Sequence, residues 1–146
     1  MENTIQNIAR GVCIKDEFIL LAYHKEDKYH FLPGGHVEFG ESLSAALKRE
    51  FFEELGITID CHGLVTIFEH GWDKKGVLQH EINFYFSIEL TDFSNIIESQ
   101  VDHLSFEWLP IAKLTEIKFL PSEVLETITN FNKGESSPCF ISTLEK

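Results

Sequence analysis

Glu50, Glu53 and Glu54 are the residues of this chain whose types and spacing most directly suggest chemistry. An α-helix turns by about 100° per residue, so side chains three and four positions apart share one face of the helix that this segment predicts. Like charges at that spacing destabilise a helix by roughly 0.2–0.5 kcal/mol per pair, and the helix dipole disfavours anions near the C-terminus. The arrangement makes physical sense if the carboxylates bind a cation.

Clustered carboxylates suit hard, oxygen-preferring cations such as Mg²⁺ or Mn²⁺ better than they suit zinc. Such an ion bridges phosphate oxygens, neutralises charge that develops on a diphosphate, and lowers the pKa of a bound water. A solvated acidic face is the simpler interpretation of the three carboxylates, and it would be favoured if the cluster stood alone.

A fixed pattern of residues precedes the cluster. Gly35 is followed by five spacers and Glu41, and then by seven spacers and the segment 49–57, of sequence REFFEELGI. This matches the Nudix box, G-x5-E-x7-R-E-U-x-E-E-x-G-U with U apolar. Chance would produce such a match on the order of once per billion placements at average residue usage. The chain therefore resembles the Nudix hydrolases, with Phe51 as a mild departure where the family usually has an aliphatic residue.

The resemblance implies a metal-dependent hydrolase of the diphosphate linkage in a nucleoside diphosphate derivative, such as a nucleoside triphosphate, a nucleotide sugar, ADP-ribose or a dinucleotide polyphosphate. Glu50, Glu53 and Glu54 match the box positions that bind Mg²⁺ or Mn²⁺. Glu50 is also expected to help activate water, and the backbone carbonyl of Gly34 is expected to be a further metal ligand. The alternative is a non-catalytic nucleotide-sensing module, although such modules usually lose box carboxylates.

Two box residues are expected to support the site. Arg49 and Glu41 match the pair that bridges the loop and the helix, so losing Glu41 should be less harmful than losing Glu53. His36 follows the glycine turn and could contact a phosphate, although such a residue more often only lines the mouth of the site.

A general base or extra metal ligand often comes from outside the box in this family. Glu98 is the first choice, in the loop before Trp108, and Asp102 in the same loop and Glu81 on a long strand are the alternatives. A plain solvated carboxylate is the simpler interpretation for each.

Trp72, Tyr29 or Phe68 could stack on a nucleotide base. An aromatic side chain in a small sheet protein more often belongs to the core, and this is the simpler interpretation for all of them.

Composition narrows the function further. The 146 residues carry 12 Lys and Arg against 24 Asp and Glu, which gives a net charge of −12. That charge disfavours duplex nucleic acid and RNA ends as partners, but it fits a small nucleotide bound through divalent cations. The apolar run from Phe18 to Tyr23 is too short to cross a membrane, and three distant cysteines favour a reducing, cytoplasmic setting. Many family members dimerise, so a homodimer is compatible with the resemblance.

The elements that must position the site are strands before and after one central helix, with a further helix at the C-terminal end, and this order predicts a mixed sheet covered on both faces. The Nudix fold is an α/β/α sandwich with a mixed β-sheet and a catalytic loop–helix–loop, and the sequence predicts this architecture as a single domain over residues 1–131. A loosely ordered tail is expected over 132–146, although Phe140 and Ile141 could dock. Predicted strands are 5–14 and 17–23 (a hairpin), 29–32, 57–70, 77–90 and 104–109. Predicted helices run from 41–42 to Gly56 and over 111–117 and 121–131.

Overall fold

The computed structural model describes residues 3–91 and 97–145. Its strands are β1 (Gln6–Val12), β2 (Ile14–Lys15), β3 (Phe18–His24), β4 (Tyr29–Phe31), β5 (Gly34–His36), β6 (Ile59–Lys74), β7 (Val77–Leu90), β8 (Leu104–Pro110) and β9 (Phe140–Ser142). Its α-helices are α1 (Leu43–Leu55) and α2 (Leu125–Lys133), with 3₁₀ turns at Ile111–Lys113 and Ser122–Val124. None of the helices in these described segments is long and apolar enough to span a bilayer.

The strands form two sheets. The larger has the order β5-β1-β7-β6-β9, in which β1 runs parallel to β7 and β9 runs parallel to β6 while the other pairs are antiparallel. In the smaller sheet β3 pairs antiparallel with β2 and β4 on one edge and with β8 on the other. The predicted mixed α/β architecture is confirmed.

The core consists of two apolar clusters on opposite faces of the strands. Successive side chains of a strand point to opposite faces, and β3 is buried on both. Its Leu20 and Ala22 belong to the cluster that contains Phe51 of α1, whereas its Ile19 and Leu21 belong to the cluster with Ile128 of α2. Helix α1 and helix α2 therefore cover different faces.

Helix α1 begins and ends where the sequence predicts. The hydroxyl of Ser42 accepts a hydrogen bond from the backbone N–H of Ala45 at 3.1 Å and caps the first turn. Gly56, at φ 69°, adopts the left-handed conformation and donates its N–H to the carbonyl of Phe52. The helix is thus fixed at both ends.

The predicted hairpin of residues 5–14 with 17–23 is wrong for most of its length. Only Ile14 and Lys15 pair with β3, whereas β1 lies between β5 and β7 in the larger sheet. Because Ala9 and Val12 of β1 are buried on opposite faces, the strand needs a central position that a hairpin edge would not provide.

Other boundaries also differ from the sequence prediction, and the strand predicted over 57–70 is β6, which continues to Lys74. Residues 34–36 form strand β5 as well as the expected glycine turn. The predicted helix over 111–117 is a single 3₁₀ turn, and the predicted helix over 121–131 starts as a 3₁₀ turn before α2. Both helical segments are short, and packing against the sheet rather than helix propensity decides their form.

The segment expected to be a loosely ordered tail contains strand β9. Phe140–Ser142 pairs with residues 67–69 on the outer edge of β6. The hydroxyl of Thr66 donates to the carbonyl of Pro138 at 3.1 Å, and that of Ser142 donates to Glu69 Oε1 at 2.8 Å. The unpaired backbone groups at a sheet edge give the segment a template that local sequence does not reveal.

Candidate functional site

Arg49 joins the loop before α1 to the helix itself. Its Nε donates to Glu41 Oε2 at 2.8 Å and its Nη2 donates to Glu41 Oε1 at 2.9 Å, which is a two-pronged ion pair. Nη2 also donates to the backbone carbonyl of His36 at 3.0 Å. The two side chains that the sequence analysis paired are therefore in contact, and the loop is tied to the helix at two points.

The same guanidinium contacts two further carboxylates. Nη1 donates to Glu50 Oε1 at 2.9 Å and to Glu53 Oε2 at 3.3 Å. The hydrogen bonds from Arg49 lower the pKa of Glu41 to about 2, and a hydrogen bond from the backbone N–H of Glu38 contributes to the same shift. The hydrogen bond to Glu41 is also the main cause that raises the pKa of Arg49, so the pair stays ionised across the working pH range.

Two glycines let the carboxylate of Glu50 lie against strand β5. A Cβ atom at position 35 would lie 2.3 Å from Glu50 Cδ and 2.5 Å from its Oε2. Gly34, at φ 149°, pairs with Arg10 of β1, and a Cβ there would lie 1.9 Å from the carbonyl oxygen of Ala9. The loop can pass between β1 and α1 only because neither position carries a side chain.

Glu54 is a buried carboxyl group beside another carboxylate of the cluster. Burial raises its pKa to about 7, and the negative charge of Glu50 and a hydrogen bond with that carboxylate add to the increase. Arg10 opposes the shift without cancelling it. The carboxyl group of Glu54 thus tends to retain a proton, which a bound cation would displace. This is the electrostatic environment that a divalent metal fits.

The candidate donors for such a metal are the carboxylates of Glu50, Glu53 and Glu54, with the predicted carbonyl of Gly34. Within residues 3–91 and 97–145, no three acidic, histidine or cysteine side chains already surround a single point. Mg²⁺ does not require such a cage, because it commonly keeps several waters and takes one or two carboxylates together with substrate phosphates. The donor chemistry is that of a site completed by an anionic substrate.

The predicted carboxylates outside the box lie in different places. The backbone N–H of Gln100 donates to the carbonyl of Glu54 at 2.7 Å, which holds the loop with Glu98 against the end of α1. Glu98 and Asp102 are exposed, and in the described part of the chain neither side chain is bonded to the helix carboxylates. Glu81 instead lines a cavity that Arg10 also lines.

His36 is exposed at the end of β5. Its Nε2 lies 3.2 Å from Gln6 Oε1. Its backbone carbonyl, rather than its ring, is the part that contacts Arg49.

The cavity is the feature that sequence reasoning did not find. It has a volume of about 500 Å³ and lies between strands β1, β6 and β7 and the segment 119–123. Trp72 and Tyr29 line it, as two of the proposed stacking aromatics, whereas Phe68 is fully buried and not available to a ligand. His70 and Trp72 are two positions apart on a strand, and this spacing is the sequence signal that places both side chains on one face.

Arg10 connects the cavity to the acidic cluster. It lines the cavity, and its positive charge also acts on the carboxylate of Glu54. Its Nη1 donates to the carbonyl of Leu32 at 3.1 Å, and its guanidinium carbon lies 5.4 Å from the centre of the Phe31 ring. The side chain is therefore held in place between the two regions.

Comparison with known proteins agrees with this geometry. A family model of the NUDIX domain matches residues 6–130. The chain is 25% identical over 128 residues to an ADP-ribose pyrophosphatase of Methanocaldococcus jannaschii, covering 85% of this chain and 73% of that protein. A NUDIX hydrolase structure from Nitrosomonas europaea superposes with a TM-score of 0.75 at 22% identity, covering 92% of this chain and 93% of the other. A UDP-X diphosphatase structure gives 0.72 at 19% identity, covering 97% and 68%.

Proposed function

This chain belongs to the NUDIX domain family, and we propose that it is a metal-dependent hydrolase of the diphosphate linkage in a nucleoside diphosphate derivative. The observation that carries the proposal is the cluster of Glu50, Glu53 and Glu54 on the turn of α1 facing β5. Arg49 donates hydrogen bonds to the first two, and Glu54 is hydrogen-bonded to Glu50. The negative charge of the neighbouring carboxylates adds to burial in raising the pKa of Glu54, and such an acidic cluster fits a divalent cation. A bound Mg²⁺ or Mn²⁺ would supply charge neutralisation on the diphosphate and acidify a water.

The side chains have separate tasks in this proposal. Glu50, Glu53 and Glu54 would hold the metal together with the Gly34 carbonyl, and Glu50 would orient the attacking water. Glu98 accepts the proton of that water, with Asp102 as the alternative acceptor in the same loop. The water oxygen forms a bond to one phosphorus, the bridging P–O bond breaks, and the leaving phosphate carries the bridging oxygen.

Names of related proteins support the substrate class. The Methanocaldococcus jannaschii relative is an ADP-ribose pyrophosphatase, and the structural neighbour is a UDP-X diphosphatase. Both names describe a nucleoside diphosphate joined to a second group. We propose that this chain acts on the same general class of small nucleotide.

We also propose that the protein works in the cytoplasm. Cys13, Cys61 and Cys139 are free thiols in the structure, and Cys13 is buried. Free thiols are typical of reducing compartments.

Metal removal is the direct test of the proposal. Phosphate release should be measured with nucleoside triphosphates, nucleotide sugars, ADP-ribose and dinucleotide polyphosphates, each with Mg²⁺, with Mn²⁺ and with a chelator. We expect turnover of one class with either metal and none with the chelator, because the substrate phosphates complete the ion's coordination. Nucleotide binding without turnover of any substrate would instead indicate a sensing module.

Replacing Glu41 with glutamine should reduce activity less than replacing a metal ligand. The variant loses the two-pronged pair with Arg49, but the bond from Arg49 to the His36 carbonyl still ties the loop to the helix. Loss of such a supporting partner typically costs about 10- to 100-fold, and we expect the low end of that range in kcat/KM. A drop as large as that of a Glu53 variant would show that Glu41 itself contacts the metal or the substrate.

A further inference from the structure

We propose that the cavity beside Arg10 binds the base of the nucleotide substrate and that Glu81 makes it select guanine over adenine. The inference rests on the proposed function only in taking the substrate to be a nucleotide. Its evidence is the lining of the cavity, which has a stacking wall, a set of hydrogen-bond acceptors and a buried hydroxyl without a partner.

Position is the first argument. Arg10 stands opposite Gly34 in the β1–β5 pair and also lines the cavity. A nucleotide with its phosphates at the α1 carboxylates can extend past this cation into the cavity. The volume of about 500 Å³ lies within the usual range for small-molecule sites.

The stacking wall is the second argument. Along β6 the ring of His70 stacks on that of Phe68 at a centroid distance of 4.9 Å and on that of Trp72 at 4.8 Å. Thr143 Oγ1 accepts a hydrogen bond from the N–H of Gly71 and lies 3.0 Å from His70 Nδ1, so the segment after β9 holds the ladder. Trp72 is the end of this fixed ladder, and its face can stack on any base.

The third argument is an excess of acceptors. Asn83 Nδ2 donates to Glu81 Oε1 at 3.1 Å. A carboxylate can only accept hydrogen bonds, so the amide nitrogen of Asn83 must face it. Asn83 is only 1% exposed, so it fixes the carboxylate in place rather than meeting a ligand itself. The lone pairs of the Glu81 carboxylate that Asn83 does not use are the acceptors that the cavity offers.

An unpaired hydroxyl is the fourth argument. Tyr85 lines the cavity and is only 2% exposed, yet within residues 3–91 and 97–145 its hydroxyl has no hydrogen-bond partner. Burial raises the pKa of this phenol, so it stays protonated. Buried polar atoms are normally paired, so an unpaired hydroxyl beside a cavity is a candidate partner for a bound molecule.

Guanine fits this pattern better than adenine. Its ring N–H and its amino group lie side by side, so both can donate to the carboxylate of Glu81 in a two-pronged contact. The corresponding edge of adenine places a ring nitrogen acceptor beside its amino group, which would face the carboxylate with like partial charge. Hypoxanthine keeps the ring N–H but lacks the amino group, and it should lie between the two.

The test uses calorimetry to measure the equilibrium binding of guanosine, inosine and adenosine 5′-monophosphates in the presence of excess chelator. A two-pronged contact corresponds to roughly ten-fold or greater discrimination, and we expect that preference for guanosine over adenosine, with inosine intermediate. E81Q should bring the affinity for the guanosine nucleotide close to that for the adenosine nucleotide. E89Q is the matched control, because Glu89 lies on the same strand, is 75% exposed and contacts His62.

Several results would overturn the proposal. Equal binding of all three nucleotides to the unaltered protein, or no binding at millimolar concentration, would do so without any variant. So would an E81Q protein that retains the guanosine preference. W72A should weaken all three nucleotides by a similar factor, and a loss confined to one base would contradict the stacking wall. The binding assay contains no metal, so it tests the base site separately from hydrolysis. A protein that prefers the guanosine nucleotide but hydrolyses no nucleotide would refute the proposed function and leave this proposal standing.

Discussion

Glu53→Gln should lower kcat/KM by at least about 100-fold while leaving the protein folded, since even supporting partners of a metal ligand commonly cost 10- to 100-fold. Glutamine has nearly the same size as glutamate, but it is neutral and a poorer ligand for a hard cation. The Glu53 side chain is 56% exposed, so its replacement buries no new polar group. The free energy of unfolding should change by no more than about 0.5 kcal/mol, as for other surface substitutions.

Glu38→Gln is the matched control for this variant. Glu38 lies on the same loop–helix unit, is 70% exposed, and approaches Arg49 only to 3.9 Å. It removes one negative charge near the guanidinium without removing a proposed ligand, so turnover should stay within a few-fold of the unaltered protein. Equal losses in the two variants would mean that overall charge, rather than coordination, matters.

The loop–helix unit could be predicted because its contacts are local in sequence. Ser42 and Gly56 cap the helix, Arg49 reaches Glu41 eight positions away, and all of these residues lie in one short stretch. Spacing alone therefore determines which side chains meet. The long strand β7 was equally clear, because its alternation at period two extends over the whole of Val77–Leu90.

The remaining features depend on contacts between distant segments. Strand β1 meets β7 more than 70 positions along the chain, and β9 pairs with β6 at a similar separation. Nothing local distinguishes an edge strand from a central one, so β1 was assigned to a hairpin instead. The aromatic residues show the same limit, since Phe68 is core and Trp72 lines the cavity although both lie on β6.

The acidic cluster can be found from the spacing of residues along the chain, whereas the cavity forms only when distant strands meet in the folded sheet. Glu81 was considered as a catalytic carboxylate because the family often uses one from outside the box. The structure places it in the cavity wall, where it accepts a hydrogen bond from Asn83, and in the proposed base site it is a recognition group. A carboxylate's role therefore follows from what it faces, which is a property of the folded sheet.

Gly35→Ala should reduce kcat/KM by about 100-fold with little loss of stability, because a misplacement of about 1 Å at a catalytic group can cost that much. The new Cβ would lie 2.3 Å from Glu50 Cδ, and the flexible end of the glutamate is the part that must move. The backbone itself tolerates alanine there, since Gly35 is not among the glycines with positive φ. Turnover should fall while the melting temperature stays nearly constant.

Gly34→Ala should lower stability as well as turnover, because the same backbone carries the proposed carbonyl ligand, and this contrast with Gly35→Ala makes the prediction sharp. At φ 149° an added Cβ would lie 1.9 Å from the backbone oxygen of Ala9, so the β1–β5 pair must separate. Backbone strain of this kind costs on the order of 1–3 kcal/mol, which would lower the melting temperature by several degrees. Gly63→Ala is the control, because its Cβ would meet nothing within 4 Å. If Gly35→Ala instead lost stability and kept full turnover, the carboxylate of Glu50 would not be the group that the glycine accommodates.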